Sequence, residues 1–182
     1  MSEMFSRRVF LRGLGVVAAA AALTACSSTN EAVNQALIEG AVGGIVAADC
    51  KIGRMTYWAA NATVPVYEIS FRIVMTNVSS NPVTLSGDNF ATTLDGTPIP
   101  PFNFSARDVG DADIWRTYDS LTIRPGEERS IALAYEISQP TYDSWYKSSR
   151  TVAVSFTCGN QRVTYTKNSR SDEITVSDIE TL

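Results

Sequence analysis

The sequence predicts an all-β protein, an immunoglobulin-like antiparallel sandwich of seven to eight strands. Three observations carry that reading. Tyr67, Ile69, Phe71, Ile73 and Met75 alternate with Glu68, Ser70, Arg72, Val74 and Thr76, the period-2 pattern of a strand with one face in a core. The same alternation recurs at Ile131, Leu133, Tyr135, Ile137 and again at Val152, Val154, Phe156, Cys158. Turn chemistry separates the runs: Asn77 to Pro82, Asp95-Gly96, Arg124-Pro125-Gly126 and Gly159-Asn160. Strict alternation implies sheets buried on one face only, hence antiparallel strands, and two such sheets packed face to face make a sandwich.

Taken in order, the chain divides into four parts. Residues 1–12 carry Arg7, Arg8 and Arg12 against a single Glu3, and residues 13–25 are apolar and small, from Gly13 to Ala25. Thirteen apolar residues fall short of the roughly 20 that span a bilayer, and their length and basic flank fit the h-region of a signal peptide. Residues 26–41 read as a polar tether. Asn30 stands where it would cap a short helix through Glu31–Glu39, and Gly40 where that helix would stop. Residues 42–168 hold the sandwich. Val83 with Leu85, then Phe90, Thr92 and Leu94, precede the Asp95-Gly96 hairpin, and Thr97 to Ile99 lead away from it. Residues 98–120, with Pro98, Pro100, Pro101 and an acidic knot from Asp108 to Asp113, read as a long connection over one end of the fold. Leu121 and Ile123 restart the strands, Ser138 to Ser149 forms a polar aromatic connection, and Val163 with Tyr165 follows the last tight turn. Residues 169–182 are a polar tail or edge strand around Ile174 and Val176.

Composition narrows the chemistry. The 182 residues contain no histidine. That excludes a Ser-His-Asp triad, a Cys-His pair and a histidine general base. The formal charge of −4 argues against nucleic acid, which needs a basic face. No phosphate-cradling glycine loop or nucleophile elbow is present, no cofactor is implied, and the chain reads as a non-enzyme.

Ser6-Arg7-Arg8-Val9-Phe10-Leu11 resembles the twin-arginine export motif, and Leu23-Thr24-Ala25-Cys26 resembles a lipobox. In that class of exported lipoprotein the signal peptide is cut before the cysteine, whose thiol is lipidated. The resemblance therefore implies that Cys26 is the first mature residue and the membrane anchor, after passage through the export machinery. Losing residues 1–25 leaves 157 residues with 12 basic and 18 acidic side chains, a formal −6. Thr76-Asn77 with Pro82-Val83, Asp95-Gly96 and Leu121 to Glu127 are similar, in order and spacing, to immunoglobulin-like domains of unknown function on bacterial surface lipoproteins. That family implies a fold and an envelope location and brings no catalytic residues.

Three constellations remain as candidate sites. Cys50 and Cys158, an even pair in an exported chain, are expected to form a disulfide closing a loop of about 107 residues. Asp108, Asp111 and Asp113 offer carboxylates for calcium, though their spacing is not that of an EF-hand. Trp115, Tyr118, Tyr142, Trp145 and Tyr146 gather in the two long connections, where they either close the ends of the sandwich or present rings to a partner. Trp58 is expected in the core and Glu127-Glu128 on a solvated turn. The functional expectation is a lipid-anchored, extracytoplasmic interaction module, whose partner is another envelope protein or a cell-wall polymer. A calcium- or carbohydrate-binding module is the alternative, and a histidine-free hydrolase the remote one.

Overall fold

Two antiparallel sheets face each other across a core of alternating apolar side chains. The computed structural model describes residues 40–57, 63–109 and 114–182. The strands run in order β1 (Ile45–Tyr57), β2 (Val66–Asn77), β3 (Val83–Ser86), β4 (Phe90–Leu94), β5 (Thr97–Ile99), β6 (Asn103–Asp108), β7 (Arg116–Thr117), β8 (Ser120–Ile123), β9 (Glu128–Glu136), β10 (Thr151–Cys158), β11 (Gln161–Asn168), β12 (Ile174–Val176) and β13 (Glu180–Thr181). The helix α1 (Gln139–Ser144) joins β9 to β10. One sheet has the order β1-β2-β9-β6-β7; the other is β12-β11-β10-β4-β5, with β13 also on β11, and β3 pairs β8 apart from both. With β1, β2, β9 and β6 as strands A, B, E and D, and β11, β10, β4 and β5 as G, F, C and C′, this is the immunoglobulin order, β7 and β12 being added at the edges.

The alternation foreseen for β2 holds. Ile69, Phe71, Ile73 and Met75 are buried and meet Ile131, Leu133 and Tyr135 of β9, with Val152, Val154 and Phe156 of β10 and Val163 and Tyr165 of β11 opposite. Phe71 stacks at 5.6 Å on Tyr165 and at 6.1 Å on Phe90, and Phe90 at 5.1 Å on Phe156, so rings from both sheets interlock. Asp95 and Gly96 both have positive φ, 52° and 80°, as a two-residue hairpin turn requires. Asn77 ends β2 fully buried, with its side chain satisfied on all sides. Its Nδ2 donates to the carbonyls of Asn81 at 2.8 Å and Ile123 at 2.9 Å, while its Oδ1 accepts from Ser79 N at 2.9 Å and Ser79 Oγ at 2.7 Å.

Three features differ from the sequence reading. Residues 98–120 are not one connection, since they include β6, β7 and the start of β8. Phe104 and Ala106 do alternate inward there, but with one of them small and prolines just before, the pattern is faint. Ser138 caps α1 by accepting from Thr141 N, inside the stretch read as an irregular connection. In β1 a bulge places Asp49 and Cys50 together opposite Ile73, because Ala48 pairs Val74 and Lys51 pairs Arg72. Asp49 takes φ 52°, and the inward positions change parity, from Ile45 and Ala47 to Cys50 and Ile52. Ile174–Val176 and Glu180–Thr181 both pair with β11, so the tail is edge strand.

Candidate functional site

The outer face of the five-stranded sheet is where polar residues disappear from solvent. On a solvated sheet face polar side chains stand exposed. Here Glu68 is only 6% exposed, Ser70 7%, and Ser105 and Ser130 are also buried. Register explains it. Ser70 of β2 pairs with Ala134 of β9, which pairs with Asn103 of β6. One step along, Arg72 pairs with Ala132 and Ala132 with Ser105. Small side chains on β9 leave a floor lower than its rim, a basin of about 180 Å³. Glu68 closes one end. Arg72 lies at the other, beneath the half-buried Trp115, whose ring centroid is 5.6 Å from Cζ of Arg72 and 4.9 Å from Cζ of Arg107.

Partner accounting is incomplete at both ends of the basin. Glu68 makes no hydrogen bond or ion pair among the described residues; burial pushes its carboxyl above the usual carboxylate range, and the more distant Arg72 charge only partly opposes this. Arg72 donates to a thioether, Met55 Sδ, at 3.1 Å, a weak acceptor. Asn103 Oδ1 accepts from Ser105 Oγ at 2.9 Å and Thr117 Oγ1 at 3.3 Å, which leaves its amide nitrogen available to the basin. Sequence reading named Trp115 and missed the rest. The available signal was a pair of alanines at the outward positions of β9, where exposed strands carry larger polar residues.

The aromatic group separates. Trp115 alone joins the basin. Trp145 is overturned as a binding ring: at 2% exposure it is one of the largest buried side chains, because α1 turns it under the end of the sandwich. Tyr118 is half-buried against the core. Tyr146 is 61% exposed and packs with Tyr142 on Arg54, whose Cζ lies 4.6 Å and 4.2 Å from the two ring centroids.

The expected disulfide is also overturned, since Cys50 and Cys158 are buried free thiols. Cys50 lies in the field of Lys167 and acts on Tyr165, residues that pair with Val152 and Val154. Cys158 is four residues beyond Val154, about 13 Å along the strand, and its thiol points to the Gly43 carbonyl at 3.8 Å. A disulfide holds its two Cα atoms within about 7 Å. Burial raises both thiol pKa values. Of the acidic trio, Asp108 is engaged by Arg129, while Asp111 and Asp113 lie outside the described residues, as do Arg7, Arg8, Phe10, Leu11, Leu23 to Cys26, the tether helix and Trp58. No cluster of three metal-ligating side chains occurs among the described residues. Glu127 serves its turn, accepting from Arg124 N at 2.7 Å and pairing with Arg129.

The fold and basin together define a β-sandwich with a small polar concavity on one outer face. No family model matches the chain and no curated protein matches it. Among solved structures it is similar to an uncharacterised β-sandwich protein from Clostridium difficile 630, at 14% identity and TM-score 0.41, covering 78% of this chain and 99% of that one. It is similar to a functionally unknown protein from Listeria monocytogenes EGD-e at 12% identity and TM-score 0.41, over 70% and 73% of the two chains. A protein from Archaeoglobus fulgidus matches at 12% identity and TM-score 0.33, over 74% and 98%.

Proposed function

We propose that this chain is an exported lipoprotein, anchored through Cys26, whose sandwich is a non-catalytic binding module of the cell envelope with the outer-face basin as its contact site. The observation that carries the binding site is Glu68. Glu68 is almost wholly withdrawn from the surface as a residue, makes no side-chain hydrogen bond or ion pair among the described residues, and presents its carboxylate to the basin, where a donor on a ligand would complete it. The anchor rests on Ser6 to Leu11 and Leu23 to Cys26 in their order and spacing. Of the two ligand classes first considered, calcium rests on Asp108, Asp111 and Asp113, of which Asp108 is engaged by Arg129 and the other two lie outside the described residues. A neutral sugar would need the face of Trp115, where two guanidinium groups already lie.

The test separates the two halves of the reading. Cys26→Ser moves the protein from membrane to soluble fraction; retention after a salt wash refutes the anchor. Ser70→Trp fills the basin from its β2 wall, and cross-linking in the native membrane then loses the wild-type partner while the melting temperature stays near wild type. An unchanged cross-link from a folded variant refutes the basin.

A further inference from the structure

The lining of the basin holds one acid and one base. Among the described residues Glu68 and Arg72 are its charged members, with Ser70, Asn103, Ser105 and Trp115 beside them. The two charges border the same small space. Arg72 reaches past Gly53, which leaves open space on β1, to Met55, the register partner of Glu68, and its charge acts on Glu68 although no ion pair forms. At about 180 Å³ the basin has the liquid share of about six waters, so its polar groups converge on one small ligand group. Their unmet capacity has a definite make-up. Glu68 lacks a donor, and Ser70 Oγ makes no hydrogen bond among the described residues. The amide nitrogen of Asn103 and the remaining N–H groups of Arg72 lack acceptors. None of these atoms is sealed from the surface. A further net charge is disfavoured among them: an ammonium would face Arg72, and a carboxylate would face Glu68.

Building on the reading of the basin as a ligand site, we infer that its occupant is a neutral primary carboxamide, nitrogen toward Glu68 and oxygen toward Arg72. The counts agree. The amide nitrogen has two N–H donors, for Glu68 and Ser70 Oγ, and the carbonyl oxygen has two lone pairs, for Arg72 and the Asn103 amide. The bonds to the two charged partners are the stronger ones, and that to Arg72 replaces a thioether as acceptor. A backbone amide has a single N–H, and a hydroxyl a single O–H, so each leaves one of the two acceptors without a donor. The group comes either on the asparagine or glutamine side chain of a partner protein or on a free small amide.

Titration of the isotope-labelled full chain with acetamide at neutral pH tests this, beside N-methylacetamide, acetate and ethylammonium, read by NMR from the backbone amides of Ser70 and Ala134. Acetamide is expected to bind saturably in the millimolar range open to so small a ligand, and each of the others at least tenfold more weakly. Glu68→Gln leaves Arg72 unopposed and is expected to turn the preference to acetate; Arg72→Gln leaves Glu68 unopposed and turns it to ethylammonium. General damage to the fold would not reverse selectivity by charge. No saturation by about 200 mM, or any of the three comparison ligands within about twofold of acetamide, overturns the carboxamide assignment. A charge preference that neither variant moves overturns it equally. The Ser70→Trp cross-link is read independently, so the basin can stand while the carboxamide falls. Where acetamide binds, a cross-link lost in Ser70→Trp places the amide on a partner protein; an unchanged one makes it a free solute and removes the partner from the basin.

Discussion

Trp145 and Tyr146 are adjacent, both aromatic, and equally eligible by sequence for a core or a binding role. Replacing each with alanine separates them. At 2% exposure Trp145 withholds most of its surface from water. Burying about 150–250 Å² at about 25 cal/mol per Å² gives some 4–6 kcal/mol as an upper figure. Cavity-forming Trp→Ala changes cost about 3–5 kcal/mol. For a domain of this size each kcal/mol moves Tm by about 3 °C, so Trp145→Ala lowers it by about 10–15 °C. Tyr146, 61% exposed, loses mainly its contact with Arg54, about 0.5–1 kcal/mol and under about 3 °C. Calorimetry, or circular dichroism at a backbone wavelength, reads both without relying on tryptophan emission. Equal losses for the two variants, or a Trp145→Ala loss below about 1 kcal/mol, would refute the placement of Trp145 beneath the sandwich end.

Three further outcomes are expected. Asn77→Ala strands the Ile123 carbonyl in the core and costs about 2–4 kcal/mol by urea denaturation, whereas a loss under about 0.5 kcal/mol would mean the four-bond arrangement is unimportant. Unreduced protein alkylates slowly at Cys50 and Cys158 when native and completely when unfolded in urea; a mass that shows neither alkylated after unfolding would restore the disulfide. Glu68 binds its proton more tightly folded than unfolded, so its contribution is fully present below about pH 4.5 and is lost as pH rises through its raised folded value. Glu68→Gln therefore flattens the stability profile over that window and is the more stable form at pH 7; a parallel profile for the two proteins would contradict it.

What was legible in the sequence was what periodicity writes. β2, β9 and β10 set large apolar residues at every second position of their inward faces, and the turns between runs carry Asn, Asp-Gly and Pro-Gly. β6 was missed because Ala106 is a small inward residue and Ser105 a small outward one, so the contrast vanished. The basin was missed for a related reason. Its walls come from β2 and β6 and its floor from β9, and which outward residues share a row depends on register, which no single strand reveals. The disulfide failed on distance: parity in number of cysteines says nothing of where along a sheet each thiol sits. Trp145 takes the first of its two readings, closing the end of the sandwich, because a short capped helix turns it inward, which composition alone could not decide.

The bulge in β1 has a further effect at the rim of the molecule. β1 is the edge of its sheet, and thirteen residues of open edge would let a neighbouring chain add a strand. Asp49 and Cys50 break that edge into runs of four and seven residues, Ile45–Ala48 and Lys51–Tyr57, whose side chains point out of phase. A straight incoming strand cannot follow both, and the charges of Asp49 and Lys51 stand at the break. The extra residue thus keeps the long edge of β1 from offering one continuous template to an added strand.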